Sequence, residues 1–208
     1  MGMSATAEPS PSRFFSHAVF EEFLEPELVQ QLLDHVEFNQ NRFTPTTVRQ
    51  ADGTRVDPAS RVSLGLEDLG VCREPLERKL RAAEPMLRAE LGIGAYDFQD
   101  TELQIAAHND GGFFCRHSDS YKGWGIDRVI SGVFYFYRQP CGFSGGALRL
   151  YPLTGAGHID IAPAHNSLLV FPSFVQHEVM PVACPSRAFM DSRFAVNCWF
   201  RKAPKSPT

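Results

Sequence analysis

The chain has 208 residues, of which 43% are apolar and 21% are charged. This composition is that of an ordinary globular protein of one domain, and it excludes wholesale disorder. Aromatic residues reach 12%, with 17 Phe, which favours a β-rich architecture. The net charge is −4 and no Lys/Arg-rich run is present, so the sequence argues against nucleic acid or an anionic membrane as a partner.

The cysteines are five in number, scattered, and form no C-x-x-C pair. We therefore expect reduced thiols in a cytoplasmic protein rather than a disulfide scaffold or a zinc ribbon. The first 13 residues contain no apolar segment, so no secretory signal is predicted. No apolar run of about 18 residues occurs, so no membrane span is predicted.

Two helices are predicted in the first half of the chain. Pro26 suits the first position of a helix, and apolar residues then recur at spacings of three and four up to Val36. A second helix is predicted over residues 74–91. Pro85 should kink or split it, and Gly92 should end it. Residues 1–12 and 203–208 are predicted to be flexible tails on a single domain of residues 13–202.

The segment between the two helices, residues 44–68, is polar and shows neither a helical nor a strand period. A structureless stretch of that length is usually functional or disordered. From residue 100 the apolar period changes to two, and about eight short runs rich in β-formers follow, separated by Gly, Pro, Asn and Asp. This pattern predicts a sandwich, barrel or jelly roll. The prediction is a helical part over about 13–98 and an antiparallel β core over about 99–202.

The first candidate for chemistry is the motif His117-Ser118-Asp119. In extended chain, residues i and i+2 point the same way, so this His and Asp could bind one ion, although the motif alone is weak evidence. His177 begins a later strand, and folding of a β core could bring its side chain close to His117 and Asp119. Two His and one carboxylate form the site of non-haem iron(II) oxygenases. The alternative for His177 is a histidine in a surface turn.

The second candidate is Arg193, which opens an otherwise apolar strand that ends near Trp199. If its side chain faces inward it needs an anion, because an unpaired buried charge is very costly. A small dicarboxylate could supply that anion through a bidentate guanidinium contact. The alternative is an arginine at the strand end that reaches solvent.

Together these features resemble the Fe(II)/2-oxoglutarate-dependent dioxygenase superfamily, most closely its prolyl 4-hydroxylase-like branch. The resemblance covers about residues 99–201 and implies a double-stranded β-helix, or jelly roll, with N-terminal helices against one sheet. The matching features follow the family's order: Gly112-Phe113-Phe114, His117-Ser118-Asp119, Gly145-Gly146, the His-Glu-Val-Met-Pro-Val run from His177, Arg193 and Trp199.

The resemblance also implies the site. His117, Asp119 and His177 correspond to the iron ligands, and Arg193 corresponds to the residue that pairs with the distal carboxylate of 2-oxoglutarate. Iron(II), 2-oxoglutarate and O2 are the implied cofactor and co-substrates, with ascorbate supportive. The family's halogenases have Gly or Ala in place of the carboxylate ligand. The presence of Asp119 therefore favours hydroxylation.

Three further positions stay open between alternatives. His108 stands where the family often has a Tyr that contacts the co-substrate, and it is either a donor or a turn histidine. Tyr135 either reaches the co-substrate or packs in the core. Arg187 lies at the family's usual spacing from His177, but Arg193 has the better strand context, which implies a short insertion over residues 184–192.

Two segments are candidates for covering the substrate. Residues 44–61, with Arg49, Arg55 and Arg61, resemble in position the mobile substrate-covering segment of prolyl hydroxylases. Residues 120–127 contain Tyr121 and Trp124 and form either a lid or a plain surface loop.

The implied reaction is hydroxylation of an unactivated C–H bond with release of succinate and CO2. The first candidate for the substrate is a prolyl or other amino-acid residue. A free amino acid or an amino-acid-derived natural-product intermediate is the main alternative substrate, so the partner is a small molecule or a peptide. A non-catalytic cupin-like binding module is a remote alternative. The sequence indicates neither the substrate nor the oligomeric state.

Overall fold

The computed structural model describes residues 13–50, 53–121 and 125–204. The predicted tail 1–12, most of the tail 203–208 and the loop residue Trp124 lie outside these ranges. The described chain contains the helices α1 (Pro26–Phe38) and α2 (Arg73–Glu90), with short 3-10 turns at Gln40–Arg42, Gly70–Cys72 and Phe189–Asp191.

The strands before α2 are β1 (Ala18–Phe20), β2 (Thr44–Pro45), β3 (Val48–Gln50), β4 (Gly53–Arg55), β5 (Arg61–Val62) and β6 (Leu64–Leu66). Those after α2 are β7 (Phe98–His108), β8 (Phe113–His117), β9 (Arg128–Phe136), β10 (Ser144–Gly145), β11 (Leu148–Leu150), β12 (Ile159–Ile161), β13 (Ser167–Pro172), β14 (His177–Val179), β15 (Val182–Ala183) and β16 (Arg193–Lys202).

Two antiparallel sheets form the β core. The larger has the order β1-β13-β9-β16-β7-β6-β2, and the smaller has the order β12-β11-β14-β8-β5. Apart from the pairs β6–β7 and β11–β12, neighbouring strands are not consecutive in the chain, as expected when strands cross between the two layers of a jelly roll. The predicted jelly roll with N-terminal helices is therefore confirmed.

The alternation along β16 separates the two faces of the large sheet. Phe194, Val196 and Phe200 pack into the core cluster that contains the buried side chains of α1 and α2. Arg193, between the sheets, has the opposite orientation because successive strand residues point to opposite faces. The helices thus cover one face of the large sheet and leave the other face to form the site.

Pro85 was expected to kink or split the second helix; α2 is continuous through Pro85, so the helix is not split. A proline inside a helix removes one backbone hydrogen bond. Here Leu76, Leu80 and Leu87 are fully buried on one face of the helix, and this burial holds it together. Gly92 has a positive φ of 64° just after the helix, as predicted for its end. Among the helices of the described residues, none is both long and apolar enough to cross a bilayer.

The segment over residues 44–68 is not structureless, which corrects the sequence expectation. β2 pairs with β6 and extends the large sheet, β3 pairs with β4 in a hairpin, and β5 pairs with β8 of the small sheet. Each of these strands has only two or three residues, and such short strands are too short to produce a recognisable apolar alternation.

Candidate functional site

The two strand histidines meet in the small sheet. His117 at the end of β8 lies directly opposite His177 at the start of β14 in the antiparallel pair. Residues opposite each other in such a pair carry their side chains on the same face. The ring centroids are consequently 4.2 Å apart, although 60 residues separate the two positions in the chain.

Asp119 completes a cluster with these histidines. Its carboxylate oxygens lie 3.8 Å from His117 Nε2 and 3.7 Å from His177 Nε2. One ligand atom from each of the three residues falls within 4.8 Å of the others. The backbone N–H of Asp119 donates to the Ser173 carbonyl at 3.0 Å, which ties the loop after β8 to the turn before β14.

Both imidazoles are held in the orientation that a metal ligand needs. His117 Nδ1 lies 2.8 Å from the Cys115 carbonyl, and His177 Nδ1 lies 2.9 Å from the Val175 carbonyl. A carbonyl oxygen only accepts, so each Nδ1 carries the proton and each Nε2 keeps a lone pair directed at Asp119. Backbone contacts of this type orient metal-binding histidines in general.

The surroundings of the cluster favour a neutral His117 imidazole and an ionised Asp119 carboxylate. Burial, together with the neighbouring His177, lowers the pKa of His117. Burial on its own would raise the pKa of Asp119, but the two imidazoles and the side chains of Ser131 and Trp199 outweigh it and lower the pKa. These are the protonation states in which imidazole and carboxylate bind a metal ion.

A basic pocket adjoins the cluster on the side of the large sheet. Arg193 is 1% exposed, and its Nε donates to the Gly146 carbonyl at 2.8 Å. Its Nη2 atom is buried without a hydrogen-bond partner. Gly146 permits this approach, because a Cβ there would lie 2.6 Å from the Arg193 side chain.

Two further buried side chains in this region have unused polar atoms. His108 lies opposite Arg193 in the pairing of β7 with β16, and neither of its ring nitrogens has a hydrogen-bond partner. Burial, with repulsion from Arg193 and Arg61, lowers the pKa of His108 well below its ordinary value, so the ring is neutral. The Tyr135 hydroxyl is likewise buried and unpartnered, and the Arg193 guanidinium lies 4.8 Å over its ring.

These unpartnered atoms have a direct interpretation. Buried polar groups in folded proteins normally have partners, and leaving one unsatisfied is costly. Here a buried cation and three neutral donor or acceptor atoms lie beside a His-Asp-His cluster. The pocket therefore fits a small anion that carries hydrogen-bonding oxygens.

Arg187 does not share this pocket. Its side chain is 78% exposed and pairs with Asp110, with Nε 3.1 Å from the carboxylate. Residues 185–188 are exposed in the connection between β15 and β16, and Arg187 lies in this exposed part. Of the two arginines that the sequence offered, Arg193 is the one that lines the pocket.

A second cavity, of about 400 Å³, opens on the outer side of the cluster. Arg61 of β5 lies at the boundary, since its side chain lines both the inner pocket and this outer cavity. Among the described residues, no carboxylate lies within ion-pairing distance of Arg61. Burial lowers its pKa to about 10, an effect that the charge of Asp119 partly offsets.

The outer cavity has a second arginine whose charge is compensated. Arg128 donates two hydrogen bonds to the Glu102 carboxylate, at 3.2 and 2.7 Å, and lies 4.1 Å over the Trp199 ring. Tyr121 of the predicted lid also lines the cavity and is 49% exposed. The predicted lid residue Trp124 lies outside the described residues.

Sequence reasoning missed the residues behind Asp119. Ser131 and Ser173 are buried, and the Ser131 hydroxyl lies 2.6 Å from the Asp119 carboxylate. A signal was present for Ser131, which is a polar residue within the apolar run of β9. It also missed Glu102 as the partner of Arg128, because nothing local in the sequence links strands β7 and β9.

Comparison with known proteins agrees with this geometry. Residues 103–201 match the family model described as the 2OG-Fe(II) oxygenase superfamily. The match covers just under half of the chain, and it confirms the predicted resemblance to this superfamily.

One relative is an uncharacterised PKHD-type hydroxylase of Synechocystis sp., 41% identical over 138 residues. The match covers 62% of this chain and 44% of that protein, so the chain spans less than half the length of this relative.

Two solved structures show the same fold. A Pseudomonas putida prolyl-4-hydroxylase superposes with a TM-score of 0.67 at 24% identity, covering 90% of this chain and 94% of the other. A Trichoplax adhaerens prolyl hydroxylase in complex with a hypoxia inducible factor peptide fragment gives a TM-score of 0.64 at 21% identity, covering 90% and 84%.

Proposed function

We propose that the protein is an Fe(II)- and 2-oxoglutarate-dependent dioxygenase that hydroxylates an unactivated C–H bond and releases succinate and CO2. One observation carries the proposal. A His-Asp-His cluster with two free Nε2 atoms adjoins a buried, unsatisfied arginine. A protein that binds only a metal does not need that arginine. A protein that also binds a chelating dicarboxylate needs it to pair with the second carboxylate. The cupin-like alternative is therefore disfavoured.

His117, Asp119 and His177 would hold the iron through two imidazole nitrogens and one carboxylate oxygen. This ligand set leaves open positions on a non-haem iron(II) ion. When bound, iron(II) with 2-oxoglutarate and O2 supplies the oxidising power for insertion of one oxygen atom into a C–H bond. The chain's own contribution is to hold the three ligands rigidly in low-dielectric surroundings.

Arg193, His108 and Tyr135 would anchor the co-substrate. The Arg193 guanidinium would pair with the distal carboxylate of 2-oxoglutarate, since its Nη2 atom has no partner within the protein. The neutral His108 ring and the Tyr135 hydroxyl would contribute further hydrogen bonds to the same ligand. Binding of 2-oxoglutarate in this way would give hydrogen-bond partners to the buried polar atoms of Arg193, His108 and Tyr135.

The outer cavity would receive the substrate. Its volume of about 400 Å³ is within the range of small-molecule sites. The branch resemblance supports a prolyl or other amino-acid residue of a peptide, and the Trichoplax relative was solved with a peptide fragment. A free amino acid or an amino-acid-derived intermediate is the second candidate. It is favoured by Arg61, whose guanidinium would pair with a substrate carboxylate.

The function is tested by His177→Ala. We expect the wild-type protein to bind one divalent metal and to form succinate with iron(II), 2-oxoglutarate and ascorbate, which supports such enzymes by keeping iron reduced. The variant should lose both properties. His158→Ala is a matched control, because His158 is an exposed residue beside Asp160, away from the cluster. Wild-type metal affinity and turnover in His177→Ala would show that the proposed ligands are wrong.

A further inference from the structure

Two buried serines form a hydrogen-bonded pair behind Asp119. Ser131, in the middle of β9, is 1% exposed, and Ser173, just after β13, is fully buried. The Ser131 hydroxyl lies 2.6 Å from Asp119 Oδ2 and 3.0 Å from the Ser173 hydroxyl. The Ser173 carbonyl also accepts the backbone N–H groups of Asp119 and Ser120, each at 3.0 Å.

The direction of these hydrogen bonds follows from the number of protons. A hydroxyl group has one proton, and an ionised carboxylate only accepts. Ser131 therefore donates to Asp119, and Ser173 donates to Ser131. Hydrogen bonds in such a chain strengthen one another, and the bond to the charged end is the strongest.

This chain of hydrogen bonds makes the two carboxylate oxygens of Asp119 unequal. Oδ2 accepts the short bond from Ser131 and lies 3.7 Å from His177 Nε2, whereas Oδ1 lies 3.8 Å from His117 Nε2. The bond to Ser131 therefore holds the carboxylate with one oxygen towards each imidazole. If the carboxylate rotated away, this bond would be broken or lengthened, and the buried hydroxyl would lose its acceptor.

We propose that Ser131 is a positioning residue that holds the Asp119 carboxylate in the orientation in which it faces both imidazoles, and that Ser173 acts through Ser131. The turn after Ser173 leads directly to His177, so the pair also couples the loop of one ligand to the strand of another. This inference rests on the proposed function, because it assumes that Asp119 binds the metal.

The test is Co(II) affinity, measured by isothermal titration calorimetry on the full chain, with thermal unfolding of the metal-free protein in parallel. Ser131→Ala should raise the dissociation constant for Co(II) by about 10- to 100-fold, the usual effect of removing a residue that supports a metal ligand. Ser131→Thr keeps the hydroxyl and should restore most of the affinity. Ser173→Ala should cause a smaller loss, under about tenfold, because the bond it removes is between neutral groups.

The double variant Ser131→Ala/Ser173→Ala separates the roles of the two serines. It should bind Co(II) as Ser131→Ala does, since Ser173 has nothing left to act through. Ser167→Ala is the control. Ser167 is also a buried serine of the large sheet, but it donates to the Ala164 carbonyl at 2.7 Å. It should lower the unfolding temperature without changing Co(II) affinity.

Each outcome is decisive. Unchanged Co(II) affinity in Ser131→Ala, or equal losses in Ser131→Ala and Ser167→Ala, would leave the serine pair a merely structural role and overturn the inference. Additive losses in the double variant would overturn the role of Ser173. A wild-type protein that binds no Co(II), or a His177→Ala variant that binds it normally, would refute the proposed function and the inference with it.

Discussion

Replacing Arg193 with Ala should weaken 2-oxoglutarate binding by about 10- to 100-fold while leaving metal affinity nearly unchanged. The guanidinium is buried, and its Nη2 atom has no partner. In the wild type, a carboxylate of 2-oxoglutarate would form a charge-assisted hydrogen bond with this atom, which contributes roughly 1.5 to 3 kcal/mol. The variant cannot form this bond. Since about 1.4 kcal/mol corresponds to tenfold in affinity, the expected loss follows. Arg193→Lys should keep part of the binding, because the charge remains without the bidentate geometry.

The assay is calorimetric titration of the Ni(II)-loaded protein with 2-oxoglutarate under conditions without turnover. Arg187→Ala is the matched control, because this exposed arginine pairs with Asp110 outside the pocket. It should bind 2-oxoglutarate as the wild type does. A large defect in Arg187→Ala together with normal binding in Arg193→Ala would refute the assignment of the anion pocket.

Three further predictions concern the product, the covering segment and the response to pH. Mass spectrometry of a converted substrate should show a gain of one oxygen atom, and Asp119→Gly should abolish this turnover. A chlorinated product from the wild type in chloride buffer would contradict it. β3 and β4 should exchange amide hydrogens fast in the free protein and slower with substrate bound; slow exchange already in the free protein would refute a covering role.

The metal-free protein should lose stability as the pH falls below about 6.5. His108 and His117 have lowered pKa values in the folded state, so the unfolded chain binds protons that the folded chain does not. The free energy of unfolding by urea should fall between pH 7 and pH 5.5 by up to about 1.4 kcal/mol per pH unit for each histidine. His108→Asn should reduce this slope, and an unchanged slope would contradict the protonation state given to His108.

Much of the site could be predicted from the sequence, because the motifs that indicate it consist of neighbouring residues. His117 and Asp119 are two residues apart, and the run after His177 marks a strand beginning. The helices and most of the long strands were also predictable, because their apolar periods extend over several turns or several residue pairs. The short strands β2 to β6 were not, since two or three residues cannot establish a period.

The choice between Arg187 and Arg193 needed the folded chain. Spacing from His177 favoured Arg187, but that side chain is exposed in the connection between β15 and β16, whereas Arg193 begins β16 and lines the pocket. Arg61 was recognised only as one basic residue of a polar loop. Its position between the inner pocket and the outer cavity depends on the pairing of β5 with β8, which the loop's own sequence does not encode.

By itself, the sequence determined the class of fold and the identity of the three candidate ligands, because periodicity and short motifs are properties of neighbouring residues. The tertiary structure decided which side chains share a site. His117 and His177 meet through strand register, Arg193 and His108 through the pairing of β16 with β7, and Ser131 with Ser173 behind Asp119 through the packing of the large sheet. Such contacts join residues 12 to 85 positions apart, and only closing the chain into two facing sheets brings them within hydrogen-bonding or metal-binding distance.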